Sequence, residues 1–386
     1  MKKIFIITGS RSEFGLIKNL IINLKKIRKF QTRLIVTGSH LSKEHGYTYK
    51  EIKNENIKIF KKINILGKSN NKKSNSDLSS ISTGIEEFQK FFKKYKPSLV
   101  CIPCDRYEML GPALSAFFLN IPIAHLFGGE TTEGSQDETT RHVLTKLSSY
   151  HFVTHKTHQK RVIQMGENKN RVFLVGNMTI DNILNTKLYD SSEIKKKITY
   201  SNKKNILVTF HPITNIPGET KKQFKNLLAA LNKFKNINII FTKPNSDNGN
   251  LDIIKMTKKF IKKNKNAKMY DSLGHKLYYS VLKKVDCVIG NSSSALSEAP
   301  YLGAISINVG NRQQNRVQPG RVINVAAKAE LIEKKLKLVL IKKIKLKIVD
   351  KEYLKQGATK KIIRNIKNIK FNEAIIKNFS DLKFKV

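Results

Sequence analysis

The chain has no tryptophan, only three cysteines and nine prolines, and 29 acidic residues against 73 lysines and arginines. Three cysteines cannot build a disulfide framework. The one close pair, Cys101 and Cys104, ends an apolar run (Leu99-Val100-Cys101-Ile102), whereas a redox pair opens a helix. Two thiols also fall short of a four-ligand zinc site, so the pair reads as small strand residues and no metal is expected. No stretch of eighteen apolar residues occurs, which excludes an ordinary transmembrane helix. The apolar start, Met1 to Gly9, is too short for a signal peptide and runs straight into a glycine loop. It reads as a first strand, and the expected compartment is the cytoplasm.

The shortage of acid leaves a formal net charge of +44. Such a balance ordinarily points to nucleic acid or an anionic surface. Here the excess is nearly all lysine, accompanied by abundant isoleucine and asparagine, and it is spread along the whole chain. A nucleic-acid site would collect its cations in an aromatic-interleaved patch. The bias reads as AT-rich codon usage, so neither nucleic acid nor membrane is expected as a partner. A polyanion-binding protein is the non-enzymatic alternative. The same bias makes arginine informative: Arg11, Arg106, Arg141, Arg312 and Arg316 stand where lysine would be the default. A guanidinium fork that grips a phosphate or carboxylate in two places accounts for that.

What is present is alternation. Short apolar runs at 4–8, 32–37, 98–103, 122–126 and 151–154 read as strands, with helices between them at 13–26, 83–94, 107–119 and 137–148. A second series places strands at 205–210, 237–242, 285–290 and 304–309, and helices at 221–233, 252–263, 277–283 and 294–302. Strands and helices alternating at this spacing mean βαβ units on parallel sheets. A chain of 386 residues suits two such α/β domains. The seam is expected around 177–202, with a cleft between two units of similar size. The polar stretch 68–80 reads as a surface loop, 330–348 as a solvated amphipathic helix or edge strand, and the basic tail beyond Glu352 as helical.

Three constellations sit at strand ends. Thr8-Gly9-Ser10-Arg11-Ser12-Glu13 is a strand-to-helix turn whose helix start would offer N–H groups to an anion. Its spacing fits neither the dinucleotide fingerprint nor the Walker loop. Gly290-Asn291-Ser292-Ser293-Ser294 places three serines at an expected helix start, more than one cap needs, and suits a diphosphate. Glu298, about one turn on, is placed to accept from ribose hydroxyls. The scarce acids gather past strand ends in the first half as Asp105, Glu108, Glu130, Asp137 and Glu138, together with Arg141 and His142. Asp137 and Arg141 would share a helix face. His211, ending a strand before Pro212, is a candidate for phosphate contact or proton transfer.

As a set, T-G-S-R-x-E, C-D-R-Y-E, H-L-F-G-G-E with D-E-x-x-R-H, T-F-H-P, and G-N-S-S-S-x-x-x-E-A-P resemble the hydrolysing UDP-N-acetylglucosamine 2-epimerases. The nearer branch supplies sialic and legionaminic acid synthesis, and the likeness runs from residue 1 to about 325. It implies two Rossmann-like domains in a GT-B-type arrangement: 1–180, completed by the C-terminal helix 360–386, and 181–359, which holds the nucleotide. It implies a homodimer that needs no cofactor and converts UDP-N-acetylglucosamine or a related NDP-N-acetylhexosamine to the free N-acetylmannosamine-type sugar, with N,N'-diacetylbacillosamine on UDP or GDP as the alternative donor. Arg11, His211, Ser292, Ser293 and Glu298 match nucleotide or phosphate positions, with Ser294 and Arg312 beside them. Asp105, Glu130 and Asp137 match the proton-transferring carboxylates, and His211 is counted with them as catalytic. Two positions depart from the pattern: Phe127 stands where many members outside this branch carry a Glu, and Cys104 replaces a common Gly. Glu130 would then serve where that Glu is missing. A GT-B glycosyltransferase is the competing enzymatic reading.

Overall fold

The computed structural model describes residues 1–386 apart from 44–45, 67–76, 246, 343, 372–375 and 383–386. It forms two compact units. The first comprises Met1–Glu130, Asp137–Asn182 and Lys355–Val386; the second comprises Thr131–Gln136 and Ile183–Leu354.

Unit 1 is built on seven parallel strands: β1 (Lys2–Thr8), β2 (Phe30–Val36), β3 (Ile59–Lys62), β4 (Leu99–Pro103), β5 (Ile123–Leu126), β6 (Tyr150–Val153) and β7 (Val172–Leu174). Their spatial order is β3-β2-β1-β4-β5-β6-β7. Strand β1 shows why the sheet is covered on both faces. Ile4 and Ile6 pack with Phe14, Ile17 and Leu20 of the helix Arg11–Lys25. Phe5 and Ile7 point the other way, onto Phe88, Phe91 and Phe92 of the helix Asp77–Tyr95. Side chains alternate across a strand, so a continuous apolar run serves two cores at once.

The tail closes the first of these cores. Helix Ala358–Asn368 buries Ile362 and Ile366 with Leu20 and Ile21. Its first turn is capped from elsewhere in the chain. The carboxylate of Asp181, in helix Met178–Leu184, accepts from Gly357 N at 2.6 Å and Thr359 N at 2.7 Å. The helix ends at Asn368, well short of 386, and 376–382 has no regular structure. Most of the surface loop expected over 68–80 lies outside the described residues, while its last residues, from Asp77, open a helix.

Unit 2 carries six parallel strands: β8 (Asn205–Thr209), β9 (Asn238–Thr242), β10 (Ala267–Tyr270), β11 (Cys287–Gly290), β12 (Ser306–Val309) and β13 (Val322–Val325). Their order is β10-β9-β8-β11-β12-β13, the doubly wound pattern again. The stretch 330–348 resolves as a helix, Ala329–Leu340, with Ile332, Leu336, Val339 and Leu340 buried. In each sheet the strand order reverses beside the first strand, between β1 and β4 and between β8 and β11. Ligands of open α/β sheets bind beyond the carboxyl ends of strands at such reversals. Among the described residues, no helix is long and apolar enough to cross a membrane.

Candidate active site

At the reversal in unit 1, Ser10 caps the helix Arg11–Lys25 and forms a capping box with Glu13. Glu13 Oε2 accepts from Gly9 N at 2.7 Å and Ser10 N at 2.9 Å, and Ser10 Oγ accepts from Glu13 N at 3.4 Å. The N–H groups of Gly9, Ser10 and Glu13 are therefore committed within the turn. Burial, and then the neighbouring Glu108, raise the Glu13 carboxyl to about 8. Glu108 is itself held by a buried two-point bond from Arg106, Nε to Oε2 at 3.0 Å and Nη2 to Oε1 at 3.1 Å. Gly38 must be glycine here: it has φ of +56°, and a Cβ on it would lie 2.9 Å from Gly9 O. Arg11 is the first helical residue and half-buried.

The ends of β4 and β5 are bent. Cys104 and Phe127 have φ of +61° and +69°, unusual for residues with a Cβ and more so for a bulky one. Such conformations cluster where a site needs a side chain aimed in a particular direction. The first bend delivers Asp105 to Arg141, whose Nη2 donates to Asp105 Oδ2. Arg141 is fully buried in helix Asp137–Leu147. Its Nη1 donates to the backbone oxygen of Glu130 at 2.9 Å and to Glu138 Oε2 at 3.3 Å. The Glu130 carboxylate is buried too and accepts from Thr154 Oγ1 at 3.1 Å. Asp137 is half-buried at the start of the same helix. One guanidinium thus gathers the Asp105 carboxylate, the Glu130 main chain and Glu138. Thr154, which holds Glu130, carries no signal in the sequence, since a strand-end threonine is commonplace.

Burial raises the thiol of Cys101 to about 12 and that of Cys104 well above its usual value, Asp105 adding to the latter. Both stay thiols near neutrality and are poor nucleophiles and metal ligands. Among the described residues no cluster of His, Cys, Asp or Glu is arranged to hold a metal ion.

At the reversal in unit 2, Gly290 has φ of +144°, and a Cβ there would lie 1.9 Å from Thr209 O. Only glycine lets β11 pass so close to β8. Asn291 then clamps the main chain of His211, accepting from its N at 2.6 Å and donating to its O at 2.9 Å. His211 Nδ1 accepts from Asn245 N at 3.0 Å. The neutral ring therefore carries its proton on Nε2 and presents a donor there. Arg312 is buried and donates to Pro212 O at 3.1 Å and Asn291 O at 3.3 Å, tying the two strand ends together. The three serines open a short 3₁₀ turn, Ser293–Ala295, and the helix expected over 294–302 is only Glu298–Leu302. Ser292 Oγ accepts from Ser294 N at 3.4 Å, Ser294 Oγ meets the Tyr278 hydroxyl, and Ser297 donates to Glu298. The structure thus brings His211, Ser292, Ser294 and Arg312 to one pair of strand ends; in unit 1 it ties Asp105 to the Glu130 main chain through Arg141 and places Asp137 at the start of the helix that bears that arginine.

The family model for UDP-N-acetylglucosamine 2-epimerase matches residues 22–367. The chain is 38% identical over 325 residues to the GDP/UDP-N,N'-diacetylbacillosamine 2-epimerase (hydrolyzing) of Campylobacter jejuni, covering 84% of each chain. It is 34% identical over 387 residues to polysialic acid biosynthesis protein P7 of Escherichia coli, covering 99% of this chain and 98% of that one. It is 32% identical to the UDP-N,N'-diacetylbacillosamine 2-epimerase (hydrolyzing) of Legionella pneumophila, covering 84% and 85%. The structure of S. aureus MnaA with UDP superposes with a TM-score of 0.80 at 19% identity, covering 99% of this chain and all of that one. Acinetobacter baumannii MurG follows at 0.51 and 12%, covering 96% of this chain and all of that one, which agrees with a GT-B-like fold of two parallel α/β sheets. The chain belongs to the UDP-N-acetylglucosamine 2-epimerase family and is a hydrolysing nucleotide-sugar 2-epimerase.

Proposed function

We propose that the chain eliminates a nucleoside diphosphate from a nucleotide-linked 2-acetamido sugar, adds water to the resulting glycal and releases the free 2-epimer. Carbon 2 is not adjacent to a carbonyl, so its proton is weakly acidic. It leaves only as the carbon 1–oxygen bond to the diphosphate breaks. A carboxylate takes that proton, water adds at carbon 1, and a second carboxyl returns a proton to carbon 2 from the opposite face. Asp105, Glu130 and Asp137 carry these protons. Arg11, Ser292, Ser293, Ser294 and Glu298 hold the nucleotide, and the Nε2–H of His211 meets the departing negative charge. Arg312 acts by fixing the strand ends that carry His211 and Asn291. The observation that carries the reading is Arg141, which no solvated charge run would bury and which ties the Asp105 carboxylate to the Glu130 main chain.

The donor we propose is N,N'-diacetylbacillosamine on a nucleoside diphosphate, supported by the names of the Campylobacter and Legionella relatives. UDP-N-acetylglucosamine, giving free N-acetylmannosamine, is the second reading and follows the description of the matched family. Location in the cytoplasm belongs to the same proposal, because nucleotide-linked sugars are too highly charged to cross a bilayer unaided, and so does the homodimer that the family resemblance implies. Purified enzyme incubated with the UDP- and GDP-linked forms of both sugars separates the readings. Release of free 2-epimer fastest from a diacetylbacillosamine donor is expected, and preferential turnover of UDP-N-acetylglucosamine selects the second reading. An absolute requirement for an acceptor sugar would instead mean glycosyl transfer.

A further inference from the structure

We propose that His125 is a positioning residue for Asp105: its imidazole holds the Cys104 carbonyl and thereby fixes the left-handed turn that brings the Asp105 carboxylate to Arg141. The inference rests on the reading of Asp105 as a proton carrier.

His125 lies within β5, fully buried, beside the end of β4. Its Nε2 is 2.7 Å from Cys104 O and its Nδ1 is 3.1 Å from Thr145 Oγ1. A carbonyl oxygen can only accept, so Nε2 bears the proton and Nδ1 is an acceptor facing the Thr145 hydroxyl, whose single proton is shared between Nδ1 at 3.1 Å and Arg141 O at 3.0 Å. Thr145 lies one turn beyond Arg141 in the helix Asp137–Leu147. The ring therefore links the strand end bearing Asp105 to the helix bearing its arginine partner. Gly128 completes the arrangement, because a Cβ there would lie 2.9 Å from His125 Nδ1 and 3.1 Å from Thr145 Oγ1. Burial lowers the imidazole to about 3, so the ring is neutral and its donor does not titrate away across the working range.

A histidine that merely fills the core could be replaced by an apolar residue with loss of stability alone. A residue that holds a strained turn behaves differently. Cys104, at φ of +61°, needs an external hold, whereas glycine adopts that φ unaided. The test is a double-mutant cycle of His125→Leu and Cys104→Gly, with His125→Gln alongside, since the Gln amide can donate where Nε2 does. His125→Leu should lower kcat about tenfold or more, because small misplacements of a reacting group are costly, while KM and UDP affinity hold. His125→Gln should recover most of that loss, and in the Cys104→Gly background the loss should shrink to within about threefold. Equal losses in both backgrounds, or normal kcat in His125→Leu, would overturn the inference. Wild-type enzyme that fails to place deuterium at carbon 2 from deuterated water would overturn the parent reading instead. Should His125→Leu not fold, nitrogen-15 NMR of the wild-type ring decides. A neutral Nε2–H tautomer, constant from about pH 5 to 9, is expected from the buried donor. An Nδ1–H tautomer, or titration inside that range, contradicts the inference.

Discussion

Glu13 shows how much of a residue's role its neighbours decide. In the sequence it is the last letter of a turn motif; in the fold its carboxyl is shut away against Glu108 and raised to about 8. An unfolded Glu ionises near 4.5. Between those values the native state keeps a proton that the unfolded chain has released, so this group's contribution falls as pH rises through the window. Glu13→Gln preserves an acceptor for Gly9 N and Ser10 N without the titration. Its melting temperature relative to wild type should therefore rise between pH 5 and pH 8; a pH-independent difference would contradict the burial account. The same contrast separates what the sequence disclosed at this scale. Scarce acids in a lysine-rich chain made Asp105, Glu130 and Asp137 conspicuous, and triple serine did the same for Ser292–Ser294. Arg141 was noticed as an arginine that persists and as a helix-face neighbour of Asp137. Its office as the group that gathers Asp105, Glu130 and Glu138 depends on helix packing, which no local pattern encodes.

At the scale of elements, the central strands of both sheets were legible because they are continuous apolar runs buried on two faces. The four strands that escaped notice, β3, β7, β10 and β13, are the sheet edges. Each has three or four residues, and sequences such as Ile-Phe-Lys-Lys mix charge with apolar side chains, as edge strands do. The helix expected over 294–302 failed for a related reason: serines that cap a helix also stabilise a tight turn, and Ser292 closes a 3₁₀ turn here. The C-terminal helix is the element most dependent on one distant side chain. Asp181 supplies two charge-assisted bonds to its first turn. Asp181→Ala should cost about 1–3 kcal/mol, measured by urea unfolding. An unchanged midpoint would mean that the apolar contacts of Ile362 and Ile366 hold the helix without the cap.

For the whole molecule, the loudest feature of the composition and the functional one are different things. The +44 charge dominates the sequence, yet the chemistry is argued from a handful of acids and from Gly290, Asn291 and His211 at two sheet reversals. If the lysine excess is compositional, turnover should survive moderate salt and short duplex DNA should not compete with substrate. Strong inhibition by DNA at about 0.15 M ionic strength would reverse that view. Family membership was legible because motifs recur in order along most of the chain. The excursion Thr131–Gln136, which packs with unit 2, had no signal, since six mostly polar loop residues announce no partner. The account as a whole turns on proton exchange at carbon 2. Reaction in deuterated water, followed by NMR of the released sugar, tests it most directly. Deuterium at carbon 2 of a 2-epimerised product is predicted, with Asp105→Asn, Glu130→Gln and Asp137→Asn each lowering kcat about a hundredfold or more while UDP still binds. An unlabelled sugar of unchanged configuration, or full activity in all three variants, would contradict it.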